Sequence, residues 1–452
     1  MRNRQNPSRR SFLRLATGTF VPLAGMARFG AMNALAQAPD YKALVCIFLT
    51  GGNDGHNLVV PQTASQFNVY KANRGSLALP DNSASLLPIT TKNGTPYAVN
   101  DGLSLIHSLW GQQKLAIVAN AGTLVQPTTR AQYLASAVNV PANLFSHSDQ
   151  IVQMQTATKG GGGGTGWAGR TADALQSLNG ASTFPAAVSM SGQQIFCTGN
   201  IVQSASLIPG YDMTPYGMNI WPPTAGAARQ AALQQVLTMD SGLAVVQAAN
   251  KVRQDGLDLS AMLRSANVSQ PIGTLFPGTS IGQQLKQIAQ IIQLRGSIGI
   301  RRQVFFCSLG GFDTHGSQSW QQWDLLKQMS AAMSAFYQAT QELGVANDVT
   351  TFTESEFGRT LQPSGSGSDH GWGSHFLVMG GAVKGGDLYG QFPNLSLGGP
   401  DDCGTRGTLL PTTSLDQYGA TLSKWFGVPD AQLNSVFPNL QNFATRDLGF
   451  LS

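Results

Sequence analysis

Charge is scarce in this chain: Lys, Arg, Asp and Glu make up 11% of its 452 residues, against about a quarter in ordinary globular domains. That charge is also unevenly placed. The formal net charge is +5, but Arg2, Arg4, Arg9, Arg10, Arg14 and Arg28 fall in residues 1–36 with no Lys and no acid, and removing those six leaves −1. A basic surface for nucleic acid is thereby excluded. Long apolar runs are missing too. No stretch past the N-terminus reaches the roughly 18 consecutive apolar residues that a membrane span requires, so no transmembrane segment is expected in the mature chain. Cysteine is rare, with four in all, too few for a disulfide scaffold. Cys46 and Cys307 lie in apolar runs and read as buried thiols, whereas Cys197 and Cys403 lie in loop-like sequence and could pair. Missing motifs remove whole chemistries. There is no His-Glu-x-x-His of a zinc protease and no Gly-x-x-x-x-Gly-Lys-Ser/Thr phosphate loop.

What is present begins with an address. Ser8-Arg9-Arg10-Ser11-Phe12-Leu13 has the paired arginines, then the Phe and Leu, of a twin-arginine signal. A mild apolar stretch follows, and Ala34-Leu35-Ala36 supplies small residues for cleavage before Gln37. A basic disordered tail would not carry these three features in that order. Residues 1–36 are therefore expected to be a signal peptide read by the twin-arginine translocase. The remainder would then be exported already folded, to the periplasm or beyond.

Residues 37–452 read as one α/β domain. Four apolar runs look like buried strands of a mostly parallel sheet: 41–50 (YKALVCIFLT), 114–120 (KLAIVAN), 303–309 (QVFFCSL) and 349–353 (VTTFT). A fifth strand is expected from 375 (HFLVMG). Apolar residues at helical spacing predict helices over 281–298 and 320–343, and 167–175 also looks helical. The 303–353 stretch is thus a β-α-β unit. Gly160–Gly164, five glycines in a row, follows no strand and reads as a loop. Residues 185–280, rich in Gln, Ala and Pro, are expected to be an insertion or cap.

Polar clusters stand at the strand ends, where ligands of open α/β sheets gather. These are Gly51-Gly52-Asn53-Asp54-Gly55, Phe312-Asp313-Thr314-His315, and Glu354-Ser355-Glu356-Phe357-Gly358-Arg359. Asp369-His370-Gly371-Trp372-Gly373-Ser374-His375 precedes the fifth strand. Five of the six histidines, at 56, 147, 315, 370 and 375, lie in or beside such segments; His107 does not. One histidine alone is more often a structural hydrogen-bonder than a ligand. As a set with several acids, they point to a divalent cation, because converging carboxylates repel one another until a cation relieves them. Mixed imidazole and carboxylate ligands suit zinc, manganese or iron better than magnesium alone.

The ordered set FLTGGNDGHN, GFDTH, SEFGR and DHGWGSH, with Trp167-Ala168-Gly169-Arg170 and the segment from Gly380-Gly381 to Gly385-Gly386, resembles the domain of unknown function 1501 family. That family is grouped with the alkaline phosphatase-like superfamily of phosphatases, phosphodiesterases, sulfatases and cofactor-independent phosphoglycerate mutases. The resemblance implies an alkaline phosphatase-like three-layer α/β/α sandwich with a site for two metals at the strand ends. It implies metal-binding roles for Asp54, Asp313, His315, Glu356 and His375. Phe357 replaces the His of the superfamily's Asp-His pair, a loss that His370 could make good. The superfamily's nucleophile stands at a helix start near a metal. Ser146 in Phe145-Ser146-His147-Ser148-Asp149 is the candidate here, with Ser148 second, and helix capping is the plain alternative for both. Arg359 is a candidate to hold a non-bridging ester oxygen, or else to pair with Glu354 or Glu356. No Cys-x-Pro-x-Arg occurs, which disfavours a sulfatase with a modified Cys.

Two functions follow as expectations. One is an exported metal-dependent hydrolase of phosphate or related esters, with an ester or glycan as substrate. The other is a non-catalytic envelope or surface binding protein with a degraded metal site.

Overall fold

The computed structural model describes residues 40–452 apart from 181, 183, 211–220, 240, 241 and 270. Residues 1–36, expected to be a signal peptide, lie outside the described residues. The strands are β1 Lys42–Thr50, β2 Val59–Pro61, β3 Leu86–Thr90, β4 Pro96–Asn100, β5 Leu115–Gly122, β6 Ala187–Ser189, β7 Ser204–Ser206, β8 Arg302–Gly310, β9 Val349–Glu354, β10 Ser374–Gly380, β11 Leu388–Tyr389 and β12 Thr413–Ser414.

A nine-stranded sheet runs β11-β5-β10-β9-β1-β8-β6-β7, with β12 also paired to β5. β1 lies parallel to both β8 and β9, β6 parallel to β8 and β7, and β11 and β12 parallel to β5. β10 is antiparallel to both of its neighbours and so runs against the rest. β2, β4 and β3 form a small antiparallel sheet. The apolar runs that predicted strands are explained by two-sided burial. From Ala43 to Leu49 every residue of β1 is at most 1% exposed, and each such side chain is worth about 1.5–3 kcal/mol when taken from water.

Helices cover both faces. Ser104–Gly111, Ser280–Gln293 and Gln318–Glu342 pack together and on the sheet; Trp167–Ala174, Leu415–Phe426 and Leu433–Val436 form a second group. The fold is thus the three-layer α/β/α sandwich expected, with a central, mostly parallel sheet. No helix among the described residues is long and apolar enough to cross a membrane.

Two expectations change. Residues 185–280 are not set apart as a whole, because β6 and β7 within them extend the main sheet beyond β8. The helices Pro223–Thr238 and Ala244–Ser269 then pack on each other. Cys197 and Cys403 are buried free thiols, as are Cys46 and Cys307. Cys197 belongs to the main core, while Cys403 packs with Trp372 and Leu410 in a separate small cluster.

The topology decides where polar residues meet. β1, β8 and β9 end on one edge, and β10, being reversed, begins on that edge. The chain between β9 and β10 folds back on itself, with Arg359 bridged to His370 and the Thr360 amide bonded to the Asp369 carbonyl at 3.0 Å. Four polar clusters separated by up to some 320 positions therefore converge.

Candidate functional site

Asp313, just past β8, is the centre of the convergence. Its Oδ1 lies 2.9 Å from Nε2 of His315, 3.2 Å from Nε2 of His370 and 2.8 Å from Nη1 of Arg359. Its Oδ2 lies 3.5 Å from Nε2 of His147. Burial raises the Asp313 pKa, but the Arg359 hydrogen bond and charge, with His315 and His370, outweigh it and hold the carboxyl below its usual value. The side chain remains 46% exposed, so the cluster opens to solvent.

His147 is the first residue of the helix His147–Thr156. Its Nδ1 lies 2.8 Å from Oε1 of Glu356, which also accepts the Gly51 amide at 2.8 Å. A carboxylate can only accept, so Nδ1 carries the proton and Nε2 of the neutral ring keeps its lone pair. That Nε2 is buried and has no hydrogen-bond partner. The hydrogen bond to Glu356 also raises the pKa of His147. His370 has the same polarity: Nδ1 donates to the Phe145 carbonyl at 2.7 Å, leaving the Nε2 lone pair towards Asp313. Burial lowers the pKa of His370. Two lone pairs and a carboxylate thus face one point, and they repel unless a proton or a cation lies between them. One donor atom from each of His147, Asp313 and His370 falls within 4.8 Å of the others. His315 Nε2 lies 3.1 Å from His370 Nε2 and 2.9 Å from Asp313 Oδ1, at the edge of this group. These residues could hold a divalent cation.

Phe357, the residue in place of an expected histidine, is 1% exposed. Its ring packs 4.8 Å from that of His147 and 4.7 Å from that of His370, which themselves lie 4.4 Å apart, so the three rings pack as a triangle. Gly52, at φ +83°, makes room for it: a Cβ there would stand 2.5 Å from the Phe357 ring. At the rim, Asp369 Oδ1 lies 3.7 Å from Nδ1 of His315, and Asp369 Oδ2 pairs with Arg406.

The family model described as "Protein of unknown function (DUF1501)" matches residues 41–403. The chain belongs to this family. A search of the curated proteins finds no match. Among solved structures, the DUF1501 chain is similar to Ps i-CgsB, at 9% identity over 88% of this chain and 77% of that one, with a TM-score of 0.36. It is also similar to the PsFucS1 sulfatase from Pseudoalteromonas sp., at 10% identity over 89% and 71% of the two chains, with a TM-score of 0.35. Overlap this loose bears on neither activity nor residue roles.

Within this DUF1501 chain the structure gathers Asp313, His315, His370, Glu356 and Arg359, and it separates Asp54 and His375 from them. Asp54 departs from its expected part in a metal site because other cations and donors have claimed it. Its Oδ2 pairs with the buried Arg74 guanidinium and accepts Gln318 Nε2 at 2.6 Å, and its Oδ1 accepts the His56 amide at 3.0 Å. Arg74 is itself fixed by Asn57 and by the Thr360 and Leu361 carbonyls. His375 is likewise enclosed. It stacks on Phe392 at 5.1 Å, its Nδ1 accepts the Asn120 amide at 3.0 Å, and burial, then His56, press its pKa to about 3. Arg359 pairs with Asp313 instead of Glu354 or Glu356, and its side chain is fully buried. Glu354 is buried beside Cys46, and burial pushes its pKa well up. Ser146 precedes the helix, but its Oγ donates to Asp149 Oδ2 at 2.6 Å instead of capping a backbone amide. His147 belongs to the histidine set that points to a cation, but it is not among the ligands implied by the family resemblance; its place at the start of the helix His147–Thr156, in a segment with Ser146 and Ser148, is the signal the sequence carries.

Proposed function

We propose that this protein is an exported metal-dependent hydrolase acting on phosphate or related esters. The observation that carries the reading is the approach of the His147 and His370 Nε2 lone pairs to the Asp313 carboxylate, with His315 beside them. Export rests on Arg9-Arg10 and the segment around them. Two imidazoles and a carboxylate, with the His315 imidazole at their edge, suit zinc, manganese or iron. A divalent cation so held would polarise an ester oxygen as a Lewis acid.

The chain's own residues have distinct tasks in this reading. Glu356 fixes the tautomer and tilt of His147, the usual duty of a carboxylate behind a metal-binding imidazole. The Phe145 carbonyl does the same for His370. Arg359 holds Asp313 in place and, being buried, does not meet substrate. Ser146 is the proposed nucleophile: Asp149 takes its proton as the oxygen bonds to phosphorus or sulfur, the ester bond to the alkoxide breaks, the alkoxide takes that proton from Asp149 and leaves as alcohol, and water then hydrolyses the serine ester. Asp149, Asp313, Glu356 and Asp369 against Arg359 and Arg406 leave two negative charges, which a dication neutralises, so an anionic substrate meets no net repulsion once the cation is bound.

One observation favours the second reading, a non-catalytic envelope or surface binding protein. Arg74 neutralises Asp54, so a second cation has no carboxylate to meet there. Metal content and hydrolysis decide between them. Protein purified after native export without chelator should carry about one metal ion per chain and hydrolyse p-nitrophenyl phosphate or sulfate, and Asp313→Ala should lose both properties. Metal-free wild-type protein, melting like Asp313→Ala, would leave the binding-protein reading. In Ser146→Ala the rate should fall roughly 100-fold or more with metal retained; an unchanged rate would assign the attack to water.

A further inference from the structure

Resting on the hydrolase reading, we infer that Arg406 is the substrate-positioning residue that captures the anionic group of the ester. The two arginines nearest the buried acids are already committed. Arg359 touches Asp313 but is wholly buried, and its two Nη groups are engaged by Asp313 and the Ser368 and Gly51 carbonyls, with Nε buried and unpartnered. Arg74 is wholly buried against Asp54. Arg406 is different, because its side chain is 43% exposed and joined to the cluster through Asp369, whose other oxygen faces His315.

The loop bearing Arg406 is built to hold still. The buried Asp402 carboxylate accepts the amides of Gly398, Gly404, Gly407 and Thr408 at 2.8, 2.9, 2.9 and 3.0 Å. Arg130 binds the Asp402 and Gly404 carbonyls from the other side. A guanidinium on a rigid loop loses little freedom when it binds, and its planar fork matches two oxygens of a phosphate or sulfate. Its Nη1 pairs with Asp369 and its Nη2 donates to the Pro363 carbonyl at 3.1 Å; the ion pair is easily given up, since exposed ion pairs contribute little. Asp369 therefore parks the guanidinium beside the cluster until an anion competes for it.

The test reads binding and does not depend on turnover. Calorimetry with inorganic phosphate and with inorganic sulfate is run on metal-loaded wild type, Arg406→Ala, Arg406→Lys and Asp369→Asn, with metal content measured for each. Arg406→Ala should weaken the bound anion about 10- to 100-fold with metal content unchanged, and Arg406→Lys should restore part of the loss. Asp369→Asn should tighten binding, because it frees the guanidinium. Equal affinities in wild type and Arg406→Ala overturn the assignment while leaving the hydrolase reading standing. Metal-loaded wild type that binds neither anion at millimolar concentration overturns that reading, and this subsite with it.

Discussion

Glu356 and Asp54 are both buried carboxylates at strand ends, yet they answer to different partners. Glu356 accepts from His147 and the Gly51 amide, so its charge is directed at an imidazole whose other nitrogen is free. Replacing it by Gln should loosen the tautomer of His147 and cut metal affinity about 10- to 100-fold, the usual effect of losing a carboxylate behind a ligand. Competition with a chromophoric chelator would measure it. Asp54 instead faces the fully buried Arg74. Asp54→Asn should leave metal affinity unchanged but cost about 3–5 kcal/mol in urea unfolding, because it strands an uncompensated guanidinium. A fall in metal content in Asp54→Asn with normal stability would return Asp54 to the metal site. The two variants separate roles that the sequence presents as alike.

At the level of elements, the start of the helix Leu415–Phe426 holds a titration that is independent of the site. Ser414 and Gln417 form a capping box there. Asp416 lies inside it, accepting the Asn439 amide at 3.0 Å, and burial raises its pKa to about 7. In the unfolded chain an Asp titrates near 3.9. Between about pH 4 and 7 the folded protein thus holds a proton that the unfolded chain has lost, and stability falls as pH rises through that window. Asp416→Asn cannot ionise, so relative to wild type it should gain on the order of 4 kcal/mol between pH 4 and 8. Urea unfolding at the two pH values checks it, and a pH-independent difference would mean that Asp416 is ionised in the fold. Nothing in the sequence foretold this, because burial of one carboxylate depends on the Asn439 turn packing over it. The strands were legible, because burial on two faces writes unbroken apolar runs such as VCIFL. The helix over 318–342 was legible from its apolar spacing. β6 and β7 were not, being three residues each with sequences, AVS and SAS, that carry no period. In the site, Asp313, His315 and His370 could be read from strand ends. The loss of Asp54 to Arg74 could not, since Arg74 comes from a helix, Ala64–Arg74, with no strand-end motif.

Across the whole molecule, one feature of charge ties folding to the site. The chain has few ionisable groups, and a large share of those near the sheet edge face each other across Asp313. Without a cation, the native state must hold two imidazole lone pairs against a carboxylate, or protonate His147 between Glu356 and Asp313. A cation that binds the folded chain and not the unfolded one removes that conflict and stabilises by mass action, by about 2.7 kcal/mol at a free concentration 100 times the dissociation constant. Zinc, manganese or iron should therefore raise the melting temperature of chelator-treated protein by several degrees, saturating at one ion per chain because Arg74 already neutralises Asp54. His147→Ala should lose most of that increment, and His375→Ala should retain it, since His375 is enclosed by Phe392 and Asn120 away from the cluster. An increment of equal size in His147→Ala, or saturation at two ions, would refute the centre drawn around Asp313.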